Sequence, residues 1–221
     1  MTADLRSFGG TADFWFIRHG ESEANRDGII QGRQPSRLTE SGKAQAREAG
    51  EWLRAKALDL VLSSPLARAS ETAHIIAEAA RAGAVETVEE LTEIDTGIFS
   101  GLSFEQAQRA YPEAWMAFQR ESWEGVPGAE RIQELLARAE ATWTRLVDLA
   151  RQGKRSVLCV THSGFLQWMI RFTLGSRAWM PLLSGTGNCN VSHLRVTNTE
   201  QADGSVGHLA SWLMINSRVR D

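Results

Sequence analysis

Short apolar runs alternate with longer stretches of helical periodicity along most of this chain. Each apolar run is bounded by polar residues, glycine or proline, and is of the length expected for a buried strand. The last two runs alternate apolar and polar positions, which also favours strands. The predicted strands are Phe14 to Ile17, Leu60 to Leu62, Val85 to Val88, Val157 to Val160, Val191 to Val196 and His208 to Ile215.

Between these runs, apolar residues recur every three or four positions, as on one face of an amphipathic helix. The first such stretch, from Ala46 to Ala57, lies behind Thr39, a residue type that favours helix N-caps. The clearest stretch lies between Glu130 and Arg151. We also predict helices over Leu66 to Ala80 and Phe165 to Leu174.

Alternating strands and helices predict an α/β fold, a three-layer α/β/α sandwich with a mostly parallel central sheet. We expect a single domain over residues 1 to 221, because this length suits one large α/β domain. Residues 98 to 127 are rich in large apolar side chains and are predicted to form a helical cap. In a parallel sheet, functional residues gather at the carboxyl ends of the strands.

Composition narrows the function. Hydrophobic residues make up 43% and charged residues 23% of the chain, as in ordinary globular proteins. The net charge of −3 and the mixed charge pattern argue against nucleic acid or an anionic membrane as a partner. Two cysteines, without disulfide or zinc spacing, and the absence of a signal-like or membrane-spanning stretch predict a cytoplasmic protein. Nothing in the sequence indicates the oligomeric state.

The chemistry of the chain begins at Arg18-His19, directly after the first predicted strand. A phosphate monoester carries negative charge, so a site that attacks it needs positive donors and a nucleophile that tolerates that charge. The planar guanidinium of arginine matches phosphate oxygens, and a neutral imidazole can act as the nucleophile. In isolation, however, a strand-end histidine is more often a structural residue.

Five segments, taken in their order along the chain, favour a functional role for His19 instead. They are Phe16-Ile17-Arg18-His19-Gly20-Glu21-Ser22-Glu23-Ala24-Asn25, Gln31-Gly32 with Leu38-Thr39-Glu40, Ser63-Ser64-Pro65-Leu66-Ala67-Arg68-Ala69, Leu91-Thr92-Glu93-Ile94-Asp95, and Val160-Thr161-His162-Ser163-Gly164. Over residues 14 to 195 the chain thereby resembles the histidine phosphatase superfamily, which is phosphoglycerate mutase-like in fold, and within it the small phosphatases. The chain departs from the family pattern at Pro35-Ser36-Arg37, and at Ser163, where glycine is common.

The resemblance implies a role for each candidate site residue. His19 would be the nucleophile that becomes phosphorylated, and Glu93 would be the proton donor. The implied substrate is a phosphate monoester of a small molecule. Arg18, Arg68 and His162 would complete the catalytic set by binding the phosphoryl oxygens. Further substrate contacts are expected from Ser22, Asn25 and Ser163.

No metal or cofactor is implied, because no histidine or carboxylate pair has the spacing of a metal site. The mechanism requires a neutral His19. It also requires His162 to be protonated against the phosphate, so the two imidazole pKa values would have to be pushed apart.

Several residues keep a second interpretation. Asp95 is a weaker rival to Glu93 as the acid, and Ser22 and Asn25 are equally suited to capping the next helix. Arg33 and Arg37 would bind a second anionic group of the substrate if they do not simply face solvent. His74, His193 and His208 are expected to be structural, and Glu130 to favour the start of its helix.

Three functions fit these residues: a phosphomonoesterase, a mutase that returns the phosphoryl group to a second position, and a non-catalytic phosphate-binding module. The mutases of this family carry a longer basic insertion after the acid segment, whereas this chain continues into an aromatic stretch, which favours the phosphatase. Whether the aromatic side chains of residues 98 to 127 form a core or line the substrate site stays open at this stage.

Overall fold

A six-stranded sheet forms the centre of this computed structural model, which describes residues 8–176, 185–200, 203–204 and 206–219. The strand order across the sheet is β3-β2-β4-β1-β5-β6. The strands are β1 (Gly10–Arg18), β2 (Leu60–Ser63), β3 (Val85–Thr87), β4 (Ser156–Thr161), β5 (Val191–Glu200) and β6 (Val206–Ser217). All six predicted strands are therefore present. β3 is one residue shorter than predicted, and the other five strands extend beyond the predicted bounds.

Seven α-helices accompany the sheet in the described residues. They are α1 (Glu23–Arg26), α2 (Glu40–Leu53), α3 (Ala67–Ala80), α4 (Phe104–Ala110), α5 (Pro112–Glu121), α6 (Ile132–Arg151) and α7 (Ser163–Thr173). At the start of α2, the side chain of Thr39 accepts a hydrogen bond from the backbone N–H of Gly42, as the sequence predicted for an N-cap. None of the described helices is long and apolar enough to cross a membrane.

Four neighbouring strands, β3, β2, β4 and β1, run parallel, whereas β5 pairs antiparallel with β1 and β6 antiparallel with β5. The predicted mostly parallel sheet is thus confirmed, with two antiparallel strands at one edge. In the register of β1 and β4, Arg18 lies opposite Thr161. The loops that follow these two strands consequently start side by side at the carboxyl edge of the sheet.

Both faces of the sheet are covered, which is why the central strands are apolar throughout rather than alternating. One face, through Phe14 and Phe16 of β1, packs on α6 and α7. The opposite face, through Trp15 and Ile17, packs on α2 and α3. Helices, sheet and helices make the three layers of the predicted α/β/α sandwich.

The segment predicted as a cap contains α4, α5 and a 3₁₀ turn at Ser122–Gly125. Its aromatic side chains pack around the buried ring of Phe99, with Trp115, Phe118 and Trp123 at ring-centroid distances of 5.9 to 6.3 Å. The aromatic stretch therefore builds a small core of its own. Its assignment as a cap on one domain stays a prediction.

Candidate active site

His19 and His162 meet at the carboxyl edge of the sheet. His19 follows β1 and His162 follows β4, and the pairing continues beyond the strands because the N–H of His19 donates to the carbonyl of Thr161 at 2.9 Å. The centroids of the two imidazole rings lie 5.0 Å apart. A single phosphoryl group can therefore reach both rings by direct hydrogen bonds or bonds to nitrogen.

The ring of His19 is held in one tautomer. Its Nδ1 lies 2.7 Å from the carbonyl oxygen of Gly20, and a carbonyl can only accept, so Nδ1 carries the proton. Nε2 is then the unprotonated nitrogen, and its lone pair accepts a hydrogen bond from Nε of Arg68 at 3.2 Å. The two bonds thus fix the orientation of the His19 ring, with Nδ1 as the donor and Nε2 as the acceptor.

Arg68 lies at the second position of α3, directly after the loop that ends β2. Its guanidinium is almost fully buried and donates to three acceptors: His19, the carbonyl of Gly32 and the carbonyl of Gln34. These bonds use three of its five N–H groups, so the other two can bind phosphoryl oxygens. Burial lowers the pKa of Arg68 to about 10, which still leaves it charged at neutral pH.

Arg18 is the last residue of β1 and directly precedes His19 in the chain. It lines the same cavity. Its Nη1 donates to the carbonyl of Thr186. Burial lowers the pKa of Arg18, and the charge of Glu93 counteracts part of that shift. Two arginines that are largely withdrawn from water thus stand beside one neutral imidazole.

His162 is completely buried and does not line the cavity itself, although it lies next to His19. Its Nε2 is 2.8 Å from Oγ of Ser64, while its Nδ1 is buried with no hydrogen-bond partner among the described residues. Nδ1 is therefore the ring nitrogen of His162 that is left without an acceptor among the described residues.

The predicted protonation of His162 concerns the complex with phosphate, whereas the protein's own residues favour the neutral ring. Burial lowers its pKa well below the ordinary value of 6.5, and His19 and Arg68 lower it further. Burial also lowers the pKa of His19 well below 6.5, followed by the charges of Arg18 and Arg68. The surroundings thus favour the neutral form of both rings. Only an anion bound between them would favour a proton on His162.

The carboxylate of Glu93 is fixed at the N-terminus of α7. Oε1 accepts from the N–H groups of Ile94 and Phe165, at 2.9 and 3.0 Å, and Oε2 from that of Gly164 at 3.2 Å. A Cβ at Gly164 would lie only 2.6 Å from Oε1, so this close approach requires glycine. Glu93 lines the cavity and is the one carboxylate among its described lining residues.

Asp95, the rival acid, lies outside this cavity, where its Oδ1 accepts from the N–H of Gly97 and shapes a turn. The carboxylate with access to the site is consequently Glu93.

Glu130 has a larger structural part than the sequence indicated. Its buried carboxylate forms a double hydrogen bond with Arg138, at 2.6 and 2.8 Å, and an ion pair with Arg33 at 3.0 Å. The same carboxylate accepts from the N–H of Asp95. The sequence placed Glu130 at a helix start and left Arg33 without a partner, because ion pairs across 8 and 97 positions leave no periodic pattern.

Arg138 and Arg33 use the remaining donors to hold the loop that carries the acid. Arg138 donates to the carbonyls of Glu90 and Thr92, each at 2.8 Å, and Arg33 to the carbonyl of Glu93 at 3.2 Å. The loop is thus fixed by charged donors at two carbonyls before Glu93 and at the carbonyl of Glu93 itself.

The three further substrate contacts predicted from the sequence have different environments. Asn25 lines the cavity, and its Oδ1 accepts from Asn188, which leaves its amide N–H₂ for a ligand. Ser163 also lines the cavity and accepts from the N–H of Thr186. Ser22 is buried outside the cavity, caps α1 and donates to Gln31. The hydroxyl of Ser22 is thus used for capping, the alternative that the sequence left open, and a substrate contact from Ser22 stays a prediction.

We expect the buried imidazoles of His19 and His162 to make the fold sensitive to acid. The unfolded chain takes up protons on His19 and His162 below about pH 6.5, whereas the folded chain resists them, so stability falls as pH decreases. The free energy of unfolding should drop by at most about 1.4 kcal/mol per histidine for each pH unit below 6.5. Urea denaturation at pH 7.5 and 5.5 measures this drop.

The double variant His19→Asn/His162→Asn should lose much of the dependence, whereas the exposed His74→Asn control should retain it. NMR titration of the ring protons provides an independent check in the folded protein. Ring shifts of either buried histidine that titrate at 6.5 or above would contradict the argument.

The described residues contain no group of three or more histidine, cysteine, aspartate or glutamate side chains that could hold a metal ion. The cavity next to His19 has a volume of about 530 Å³. A three-layer α/β fold with histidines and arginines gathered at the carboxyl edge of its sheet defines a class of enzyme that handles phosphoryl groups.

Comparisons with known proteins agree with this class. The model of the histidine phosphatase superfamily (branch 1) matches residues 14–203. A relative from Salmonella choleraesuis (strain SC-B67), named "Probable phosphoglycerate mutase GpmB", is 30% identical over 208 residues, which cover 88% of this chain and 94% of the relative. The chain belongs to the histidine phosphatase superfamily, and it is an enzyme of the phosphatase class.

Solved structures show the same fold. An alpha-ribazole phosphatase from Shigella flexneri superposes with a TM-score of 0.75 at 27% identity, covering 94% of this chain and 97% of that one. A mycobacterial glucosyl-3-phosphoglycerate phosphatase in complex with VO₃ gives a TM-score of 0.77 at 25% identity, covering 93% of this chain and 99% of that one. The sequence resemblance is therefore confirmed.

Proposed function

We propose that this protein is a metal-independent phosphomonoesterase that forms a phosphohistidine at His19 and acts on a small phosphorylated metabolite. The observation that carries the proposal is the pair of bonds on the His19 ring. Nδ1 is held by the carbonyl of Gly20, and the lone pair of Nε2 points to Nε of Arg68, from which it accepts a hydrogen bond. A histidine with a purely structural role would not need a neutral nitrogen aimed at a buried arginine.

In the first step, Nε2 of His19 attacks phosphorus. The Nε2–P bond forms while the bond from phosphorus to the ester oxygen breaks, and the departing oxygen takes a proton from Glu93. Nε of Arg68 releases Nε2 as phosphorus approaches, and the remaining N–H groups of Arg68 together with Arg18 bind phosphoryl oxygens, where they offset the negative charge of the transition state. The imidazole becomes cationic, and its Nδ1–H bond to Gly20 stabilises that charge.

In the second step, water replaces the alcohol. Glu93, now ionised, accepts a proton from the water as its oxygen attacks phosphorus, and the Nε2–P bond breaks. Inorganic phosphate leaves, His19 returns to its neutral form, and Glu93 is protonated again. Nδ1 of His162 would donate to one phosphoryl oxygen in both steps, with its proton favoured by the bound anion.

A mutase is the nearest alternative, since a relative at 30% identity carries that name. The charges of the predicted cap favour hydrolysis instead. Its two basic residues, Arg109 and Arg120, lie on the exposed surface, where they form ion pairs with Glu105 and Glu121. A sugar acid that has to be held through two phosphoryl transfers would need cations inside the site.

We also propose that the protein acts in the cytoplasm. Cys159 and Cys189 are both free and buried, and burial raises the pKa of Cys189 to about 12. Such thiols are inert structural residues and suit a reducing compartment.

Hydrolysis in ¹⁸O-labelled water tests the proposed reaction. With phenyl phosphate as substrate and EDTA present, each released phosphate should contain one oxygen from water, because water cleaves the phosphohistidine. Mass spectrometry of the product measures the label. Phosphate without the label, transfer of the phosphoryl group to an added alcohol as the main product, or activity that needs added Mg²⁺ or Zn²⁺ would contradict the proposal.

A further inference from the structure

We propose that the alcohol part of the substrate is a flat, uncharged, largely apolar group, held against an aromatic wall formed by Phe104, Phe118 and Trp123. This inference rests on the proposed hydrolysis and adds the chemical class of the leaving group. The wall comes entirely from the predicted cap, whereas the groups that handle the phosphoryl come from the sheet edge and its loops.

The cavity has room for such a group. Its volume of about 530 Å³ lies within the range of roughly 300–1,000 Å³ that is typical of small-molecule sites. Besides the three aromatic residues, its wall includes the apolar side chains of Ile29, Ile30 and Ile94. The part of the cavity beyond the phosphoryl groups is therefore predominantly apolar.

The aromatic wall is more than the core of the predicted cap. Phe118 and Trp123 do pack on Phe99, but Phe104 is 48% exposed and contacts Phe118 at a ring-centroid distance of 6.1 Å. An exposed phenyl ring at the cavity wall is unfavourable in water, and a flat apolar ligand would cover it.

Every ionisable side chain of the described cavity lining has a role in the proposed phosphoryl chemistry. Its described lining residues contain four ionisable side chains: Arg18, His19, Arg68 and Glu93. A second anionic group on the substrate would have no cation left to bind it. Carboxylated and doubly phosphorylated substrates are therefore disfavoured.

Arg33, a candidate for such a cation outside the cavity, is also engaged in other bonds. Arg33, which the sequence offered for a second anion, is paired with Glu130 at 3.0 Å and donates to the backbone of Glu93. The remaining polar lining side chains are uncharged, among them Asn25, Gln31 and Gln167. They suit a hydroxyl or amide on the ligand and offer nothing to a carboxylate that water does not.

Three alkyl phosphates separate this inference from simple leaving-group reactivity. 2-(2-Naphthyl)ethyl phosphate, ethyl phosphate and 3-phosphoglycerate all release ordinary alcohols, so differences in kcat/KM report on binding of the alcohol part. We expect kcat/KM to be at least about tenfold higher for the naphthylethyl ester than for either of the others, as is usual for burial of a large apolar group.

Phe104→Ala should lower kcat/KM for the naphthylethyl ester about tenfold, mainly through KM, and leave ethyl phosphate unchanged within about twofold. Because Phe104 is half-exposed, its truncation leaves no cavity in a core. Met116→Ala is the matched control, since Met116 is 52% exposed on α5 and does not line the cavity. A preference for 3-phosphoglycerate, or equal losses with both alkyl esters, would overturn the inference.

A binding measurement keeps this inference apart from the proposed hydrolysis. 2-Naphthylmethylphosphonate cannot be hydrolysed, and calorimetry should show that it binds wild type about tenfold more tightly than Phe104→Ala. If no ester is cleaved but this difference is found, hydrolysis fails and the aromatic site stands. If esters are cleaved and the phosphonate binds both proteins equally, the aromatic site fails and hydrolysis stands.

Discussion

Replacing His19 with alanine should abolish turnover, with kcat/KM for phenyl phosphate reduced by at least about 10⁴-fold. The methyl side chain removes the nucleophilic Nε2, and the neighbouring groups offer no substitute in the same place. Arg18 and Arg68 would still bind the phosphoryl group, so affinity for inorganic phosphate should be retained. Initial rates and a phosphate-binding titration on the same sample measure both effects.

The buried position of His19 calls for a folding control. His74→Ala removes an imidazole from the exposed surface of α3 and should keep full activity. Circular dichroism should show the same secondary structure for wild type and both variants. A folded His19→Ala protein that retains more than about a hundredth of the wild-type rate would rule out His19 as the nucleophile.

The second large effect is expected at Glu93, and it should depend on the leaving group. Glu93→Gln removes the proton donor, so alkyl phosphates, whose alcohols need protonation, should lose about 10²- to 10⁴-fold in rate. 4-Nitrophenyl phosphate releases a stable anion and should lose much less in the step that forms the phosphoenzyme. Pre-steady-state kinetics with both substrates measure this difference.

Glutamine suits this test because its oxygen can retain the Oε1 bonds from Ile94 and Phe165, and only the longer bond from Gly164 is lost. Asp95→Asn is the matched control, since Asp95 lies two positions further along and outside the cavity. Equal losses with both classes of substrate in Glu93→Gln, or the leaving-group dependence appearing in Asp95→Asn, would contradict the assignment of the acid.

The positions of both histidines could be predicted from the sequence because they depend on local pattern. An apolar run that ends abruptly at a polar loop indicates a strand end, and parallel strands bring such ends to one edge. The same argument applies to Arg68, which follows β2 at the start of α3. Thus the sheet edge, with three of the proposed catalytic residues, follows from periodicity and strand direction.

Contacts between distant segments could not be predicted in this way. The ion pairs of Glu130 with Arg33 and Arg138 depend on where three separate loops and helices meet, and the sequence showed each residue only in its own element. Likewise, the carbonyls of Gly32 and Gln34 that hold Arg68 belong to a loop without secondary structure. Backbone acceptors leave no mark in side-chain patterns.

The protonation of His162 shows a similar limit. The reaction requires a proton on this residue, and the sequence therefore predicted a cationic ring. Full burial beside His19 and Arg68 favours the neutral ring, and a protonated ring against the phosphate stays a prediction. The reaction indicates which protonation state His162 needs in the complex with phosphate. Burial and neighbouring charges decide its protonation state in the free enzyme.

Trapping of the phosphoenzyme tests the central claim most directly. Protein mixed briefly with ³²P-labelled substrate and quenched should carry label that is stable in base and lost in acid, as is characteristic of a phosphorus–nitrogen bond. Mass spectrometry of a digest kept at alkaline pH should place the phosphoryl group on His19, and NMR of the labelled ring should place it on Nε2. Label that survives acid, or that maps to any residue other than His19, would contradict the account.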